Sequence, residues 1–463
     1  MSAFEIKSGE NVHCVELNSG RKLTGNFKLD QDGIITSIHS YEGQFFIRSE
    51  EPIILLTEKN VIVSLHSNIT TLPSSNFLNE PLRTIYRQTI NSNIAVIGRD
   101  GWTTTDKVKR VNFRVKHTEE LLRHQAKIKR LVEDRVPNKD HFSLYSEFVN
   151  GITMRAGYTV SYSKGPNTGG SINPLFELDF KEGETLQNYT SLVDCCVQFL
   201  SFSLGIRLKP SDIRISRHAH DEILVTLGKL PSHPDHQVHY VWPRDEINSD
   251  DIRVRGSPVS AWDDEELSSL RQCIVSWVER FTQWRNAYAL MMSSLALRSE
   301  ISANRLITAC KWFEQIPLTR SENSIDEEHI SVIASAAAQK ANELGYKPEI
   351  TQRIVGSLKV IRRESDKERF SRLVKLVRQR FGYSIFPENG VLHLRRAIKF
   401  RGKTAHGHFH PADKTELRAF IKATYAMEAI CYLLTALELP IQEEGLKRVQ
   451  YNPVVDNYLR AYE

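Results

Sequence analysis

Two side chains near the end of the sequence have the chemistry to move a proton and hold charge on phosphorus: Arg401 and His406, with four residues between them. An imidazole titrates near neutral pH, so it can accept or give a proton. A guanidinium is a permanent cation that can stabilise the negative charge developing on a phosphoryl group. The pair therefore suits phosphodiester transfer without a metal ion.

Arginine and histidine occur at similar spacing elsewhere in the chain. Because the sequence holds 16 histidines, about three such pairs are expected by chance when four to six intervening residues are allowed. Three others are present: Arg110 with His117, Arg135 with His141, and Arg214 with His220. Only Arg401 and His406 lie at a break between two helices with apolar faces, and this context distinguishes them.

Length and composition indicate a soluble globular protein of two or three domains, with 463 residues, 40% hydrophobic and 25% charged. No segment approaches the roughly 18 consecutive apolar residues of a membrane span. The first residues lack the basic and apolar segments of a secretory signal. The six cysteines are scattered without a Cys-x-x-Cys pair. We therefore expect a cytoplasmic protein with reduced thiols and no membrane association.

Positive charge is concentrated in residues 351–405, which hold 15 Lys and Arg against 4 Asp and Glu. Since the whole chain carries only +5, the rest of it is net acidic. A solvated helix surface is one explanation, and a binding surface for a polyanion is the other. The second is favoured because the basic segment continues into Arg401 and Lys403.

Residues 1–265 have the pattern of a β-rich α+β domain. Short segments of β-branched and aromatic residues recur about every ten residues, as in an antiparallel sheet. Strands are predicted at 12–17, 43–47, 52–56, 61–65, 94–97, 111–115, 154–163, 212–215 and 222–227. Helical patterns cover 119–136 and 192–204.

Residues 266–463 change to a period of about three and a half residues, which predicts an all-α bundle. Helices are expected over 265–297, 302–316, 326–344, 349–361 and 366–381. A further helix starts at Asn389 and should fray near Gly402. The last helix is predicted to begin after the N-cap Asp413, because Glu416 follows three residues later, as in a capping box. Arg401 would then end one core helix, and His406 would lie in the connection to the next.

This arrangement resembles the HEPN superfamily of ribonucleases, whose motif is Arg and His separated by four to six residues. A β-rich N-terminal region, the helix sequence from Asn304 to Glu314, and then Ala405-His406-Gly407 are similar to the ApeA-type anti-phage (abortive infection) proteins. The resemblance covers about 200 C-terminal residues well and the N-terminal region only in architecture.

The resemblance implies a metal-independent endoribonuclease without cofactors, in which Arg401 and His406 are catalytic. Many relatives have a polar residue, often Asn, after the arginine, where this chain has Gly402. His408 is a second histidine partner for Arg401, and His406 is preferred because it follows Ala405 in the Ala-His form of the family. Supporting roles are expected for Glu314, Lys403 and His408, and RNA contacts for Arg395, Arg396 and Lys399.

The same resemblance implies how the domains work together. HEPN domains dimerise so that two motifs face each other, and we expect a homodimer through residues 266–463. RNA, with tRNA among the candidates, is the expected substrate of a toxic effector in anti-phage defence. Residues 1–265 would sense a phage-derived trigger.

Two other functions compete with this one. The helical region could be a non-catalytic module that holds RNA, a nucleotide or a protein. The chain could also be a metal enzyme using His406, His408 and His410, which alternate along an extended segment without a convergent carboxylate. Activity in excess chelator separates the metal enzyme from the ribonuclease, and substitution of His406 separates the binding module.

Overall fold

The computed structural model describes residues 11–462 except 18, 31–32, 41–45, 48–51, 72–73, 78–83, 134–141, 163–169, 226–234, 241–255, 299, 321, 324, 362 and 406–412. The chain divides into two compact units. The sheet unit comprises Met1–Val197, Leu208–Asp250 and Ala261–Leu267, and the helical unit comprises Gln198–Arg207, Asp251–Ser260 and Ser268–Glu463. A β-rich region is thus followed by a helical one, which confirms the α+β prediction.

The sheet unit begins with a closed antiparallel barrel. Its strands are β1 (Asn11–Glu16), β2 (Arg21–Asp30), β3 (Gly33–Ser40), β4 (Ile53–Thr57), β5 (Ile62–Thr70) and β7 (Thr84–Gly98), with β6 (Ser74–Phe77) paired to β7. The order is β3-β2-β1-β4-β5-β7, and β3 also pairs with β7, which closes the ring. Alternate side chains such as Phe27, Ile38 and Leu55 fill the interior, as expected of strands with one buried face.

The second half of β7 extends this barrel into an open sheet. The further strands are β8 (Val108–Val115), β9 (Ser143–Val149), β10 (Ile152–Tyr162), β11 (Gly170–Glu184), β12 (Pro210–Ser216) and β13 (His236–Tyr240). From β7 they follow the order β13-β12-β8-β11-β10-β9. The helices of this part of the chain are α1 (Gln125–Glu133), α2 (Leu186–Leu204) and α3 (His220–Val225).

Two predictions in this region need correction. The strand predicted at 222–227 is wrong, because His220–Val225 is a helix. Glu222 accepts the backbone N–H of Ala219 at 3.1 Å, and Asp179 on β11 accepts that of His220 at 3.2 Å, so both bonds stabilise the first turn. The helix predicted over 119–136 is shorter, at Gln125–Glu133, and the strand predicted at 43–47 lies largely outside the described residues.

The rest of the chain is helical: α4 (Asp264–Glu279), α5 (Phe281–Ala296), α6 (Ala303–Gln315), α7 (Glu327–Glu343), α8 (Pro348–Ile361), α9 (Asp366–Phe381), α10 (Gly390–Ala405), α11 (Lys414–Leu437), α12 (Glu443–Arg448) and α13 (Pro453–Tyr462). Helix α11 is in the middle and packs against α6, α9, α10 and α13. It is long and apolar enough to cross a membrane, but 78% of its most apolar window is buried within the protein, as in a core helix.

The single helix predicted over 265–297 is divided at Arg280. This residue separates α4 from α5, and its side chain binds groups in α5 and α11. Its Nε donates to the Tyr288 hydroxyl at 2.6 Å and its Nη2 to the Thr435 carbonyl at 3.0 Å. The guanidinium also lies 4.5 Å from the ring centre of Trp284, a distance that favours a cation–π interaction.

Candidate functional site

Arg401 lies in the last turn of α10. Leu394 and Ala397, seven and four residues earlier, are fully buried, so Arg401 lies along the inner face of this helix. Its side chain is 30% exposed. The predicted fraying near Gly402 does not occur, since the helix continues to Ala405. Open space lies where a Cβ of residue 402 would be, so packing does not require glycine there.

Glu314, near the end of α6, binds Arg401. The Arg401 Nη2 donates to Glu314 Oε2 at 3.3 Å, and Nη1 makes a closer contact with Oε1. This two-point geometry matches a guanidinium to a carboxylate. Both side chains remain partly exposed, Glu314 at 42%, so the pair is open to exchange with an incoming anion.

A buried ion pair fixes α6 against α11. Arg305 of α6 donates to both carboxylate oxygens of Glu428, at 2.7 and 2.8 Å. Its Nη1 donates to the carbonyls of Arg298 and Glu300, and Ser294 donates to Glu428. The charged groups are thereby satisfied in the core, which a buried pair requires. Since Glu314 is on the same helix as Arg305, this network also sets where Glu314 meets Arg401.

Two further residues lie near the Arg401–Glu314 pair, and no sequence pattern marked either of them as part of the site. Arg369 of α9 lies 4.7 Å from the ring centre of Phe313. Burial lowers the pKa of Arg369, and the carboxylates of Asp366, Glu364 and Glu314 act in the opposite direction, so a second guanidinium lies within electrostatic reach of Glu314. Burial raises the pKa of the Cys310 thiol to about 12, although Arg401 lowers it somewhat. Cys310 is therefore a protonated thiol near neutral pH and no nucleophile.

Lys403 is on the opposite side of the same helical turn and fastens α10 to α11. Its Nζ donates to Glu416 Oε1 at 3.2 Å, and Glu416 also belongs to the first turn of α11, where Asp413 accepts its backbone N–H at 2.7 Å. The Phe400 and Phe420 rings meet edge to face at 5.7 Å. These contacts hold the two helices together where the connecting segment begins and ends.

The predicted RNA contacts form an exposed basic stripe on α10, composed of Arg395, Arg396 and Lys399. They follow the exposed position Leu392 at helical spacing and precede Lys403. Arg401 is on the neighbouring, half-buried part of the helix. The stripe and Arg401 therefore present cations on adjoining surfaces of one helix.

The candidate histidines His406, His408 and His410 lie outside the described residues, as do Arg135 and His141. In the part of the chain that the structure describes, no group of three or more His, Cys, Asp or Glu is placed to hold a metal ion. The other two Arg/His pairs have separate partners. Arg214 binds Asp212 at 3.0 Å, whereas His220 Nδ1 lies 2.8 Å from Glu177. Arg110 binds Asp235.

Comparisons of this chain with protein-family models, with curated proteins and with solved structures give no match.

Proposed function

We propose that this protein is a HEPN-type, metal-independent endoribonuclease of the cytoplasm. The observation that carries the proposal is the partly exposed Arg401, paired with Glu314 one turn before the segment that contains His406. A guanidinium in this position can take a phosphate in place of the carboxylate, because both ligands offer two oxygens to the same fork of donors. The preferred catalytic residues are Arg401 and His406.

Glu314 holds the guanidinium in the absence of RNA. When a phosphodiester replaces the carboxylate, Arg401 keeps two charge-assisted hydrogen bonds and loses little free energy. Arg369 lies within electrostatic reach of Glu314 and gives the released carboxylate another cation. The exchange therefore places a fixed positive charge on the phosphate where negative charge grows during reaction.

RNA carries its own nucleophile for this step. His406 removes the proton of the ribose 2′-OH, the 2′ oxygen attacks the adjacent phosphorus, and the bond to the 5′ oxygen breaks. A second acid must give that oxygen a proton. One chain supplies one preferred histidine, so the proposed active species is a homodimer in which His406 of the partner subunit is the acid. The products are a 2′,3′-cyclic phosphate and a free 5′-hydroxyl.

The basic stripe gives this site an affinity for RNA that does not depend on sequence, because cations that contact phosphates release condensed counterions. Lys403 is engaged with Glu416 and has a supporting role in the helix junction. We further propose that cleavage, with tRNA among the targets, is the toxic output of an anti-phage system. The sheet unit would then sense the phage-derived trigger.

The direct test is cleavage of total cellular RNA by the purified protein in excess chelator. Arg401→Ala and His406→Ala should each abolish cleavage and cellular toxicity, and His408→Ala should retain most of both. His329→Ala, at a well-exposed position of α7, and Arg460→Ala, at an exposed position of α13, are matched controls. Full activity of His406→Ala with loss in His408→Ala would reassign the histidine.

If all variants and the wild type bind RNA but none cleaves it, the helical unit is a non-catalytic binding module. Cleavage that depends on added divalent metal would favour the alternative with His406, His408 and His410. Mixing wild-type chains with excess His406→Ala chains tests the shared site. At constant total protein concentration, activity should fall with the square of the wild-type fraction, and a linear fall would contradict the dimer.

A further inference from the structure

The sheet unit contains a cavity of about 640 Å³ that the ribonuclease proposal does not use. This is within the range of small-molecule sites. Its lining includes Arg123, His124 and Lys129 from one segment and Trp262, Asp263 and Asp264 from another. All of them belong to the sheet unit.

Hydrogen bonds fix the two segments that form the cavity. The backbone N–H of Gln125 donates to the Trp262 carbonyl at 3.1 Å, and that of Ala261 to the Leu121 carbonyl at 2.9 Å. The His124 N–H donates to the Tyr158 hydroxyl at 2.8 Å. Because these bonds hold the backbone on both sides, the cavity is formed before a ligand arrives.

One part of the cavity favours an anion. Helix α1 begins at Gln125, but the N–H groups of Gln125 and Lys127 are already donated, to the Trp262 carbonyl and to His124 Nδ1, so an anion would be held by side-chain cations rather than by the helix N-terminus. Arg123 and Lys129 are exposed beside it. The carboxylates of the cavity are placed at the start of α4. There Asp263 accepts the Glu266 N–H at 2.9 Å, and Asp264 lies 3.2 Å from His124 Nε2.

The other part favours a flat aromatic group. Trp262 is 46% exposed, whereas Trp102, Trp277, Trp284 and Trp312 are fully buried. A partly exposed indole in a concave site can stack on a nucleobase, and every base has a π-face for this contact. Exposed oxygens of Asp264 can accept hydrogen bonds from ribose hydroxyls.

We propose that this cavity binds a nucleotide, with the base on the Trp262 indole and the phosphate on Arg123 and Lys129. The ligand is a free nucleotide or a nucleotide within single-stranded RNA, since both present the same base and phosphate. The site does not depend on Arg401 or on cleavage. It would give the sheet unit a chemical signal to respond to.

The test is a calorimetric titration of the full-length His406→Ala chain, in which RNA is not consumed by the proposed cleavage. The probes are AMP, a single-stranded oligoadenylate, and ribose 5-phosphate, which lacks a base. AMP or the oligonucleotide should bind, and should quench tryptophan emission in chains that keep Trp262. Trp262→Ala should weaken binding about tenfold or more, and Trp262→Phe should retain most of it, because the ring is kept. Arg123→Ala should weaken binding of both nucleotides, and Lys181→Ala, an exposed cation outside the cavity, should have no effect.

Much tighter binding of the oligonucleotide assigns the site to an RNA strand, and equal binding assigns it to a free nucleotide. The proposal is overturned if neither probe binds, or if Trp262→Ala and Arg123→Ala bind as the wild type does. Equal binding of ribose 5-phosphate and AMP would also overturn it, since the base would then contribute nothing. Circular dichroism of each variant establishes that the fold is intact. Loss of RNA cleavage in Arg401→Ala with unchanged AMP binding would separate the two proposals.

Discussion

Glu428→Gln should destabilise the helical unit strongly, because it removes the charge that compensates a guanidinium with no access to solvent. Arg305 is fully buried, and Glu428 is 3% exposed. Two unit charges about 4 Å apart at an effective dielectric constant of about 20 interact by about 4 kcal/mol. Removal of one partner from a buried pair costs about 3–5 kcal/mol. We therefore expect the free energy of unfolding to fall by about 3–4 kcal/mol.

A double-mutant cycle with Arg305→Met measures the interaction itself. With both charges removed, the Arg305→Met/Glu428→Gln chain should be less destabilised than the sum of the two single changes, with a coupling of at least about 2 kcal/mol. The assay is urea unfolding followed by the fluorescence of the buried tryptophans, of which Trp277, Trp284 and Trp312 lie in the helical unit.

The control is Glu343→Gln, which breaks the exposed pair with Lys340 and should cost no more than about 1 kcal/mol. A loss of under about 1 kcal/mol for Glu428→Gln, with additive single changes, would refute the burial of this pair. Glu428→Gln should also affect function. Since α6 carries both Arg305 and Glu314, loss of the buried pair should loosen α6 and impair the Arg401 site.

Three further outcomes follow from the site and the sheet unit. In a His406→Ala background, Glu314→Gln should tighten RNA binding by about 1.5- to 5-fold at low salt. The reason is that the Arg401–Glu314 ion pair, which contributes about 0.2–1 kcal/mol, no longer competes with the phosphate. Weaker binding would mean that Glu314 orients Arg401. Replacement of the basic stripe by alanine should reduce the slope of log affinity against log salt by up to about 2, at about 0.7 per lost phosphate contact, and an unchanged slope would exclude the stripe from the interface. Burial lowers the pKa of His66 to about 4, so the unfolded chain binds a proton that the folded chain excludes. Stability should then fall as pH drops from about 6.5 to about 4, by about 3 kcal/mol in all, and the pH profile of His66→Gln should lack that loss.

Helix boundaries with local signals could be predicted from the sequence. Helix α9 spans Asp366–Phe381 as predicted, because Ser365 and Glu368 form a capping box at its start. Asp413 likewise caps α11. Such contacts join residues three positions apart, so they are visible in a short stretch of sequence.

Features that depend on distant residues could not be predicted. The Arg280 side chain, at the break between α4 and α5, binds the distant Thr435 carbonyl, and the first turn of the helix at His220–Val225 adds a contact with Asp179 to its local bond with Glu222. Closure of the barrel depends on pairing of β3 with β7, which are far apart in sequence. The sequence pattern at each position was compatible with another structure, and a tertiary contact decided between them.

In the candidate site too, residues with a local sequence signal could be predicted and residues brought together by the fold could not. Arg401 could be singled out by its place at the end of an apolar helix. Glu314, 87 residues away, was singled out only by the resemblance to a family, and its pairing with Arg401 was not predicted, since an exposed helix glutamate has no local mark of a partner. Arg369 carried no signal at all, because it is one of many cations in a basic segment.

The chemistry of the RNA ends tests the proposed ribonuclease most directly. Wild-type protein should cleave RNA in excess chelator and leave 2′,3′-cyclic phosphate and 5′-hydroxyl ends, which ligation-based sequencing detects when the cyclic phosphate is opened beforehand. Arg401→Ala and His406→Ala proteins should leave no such ends, while His329→Ala leaves as many as the wild type. Products with plain 3′-hydroxyls would contradict attack by the 2′-OH, and cyclic ends from the His406→Ala protein would contradict the role of His406.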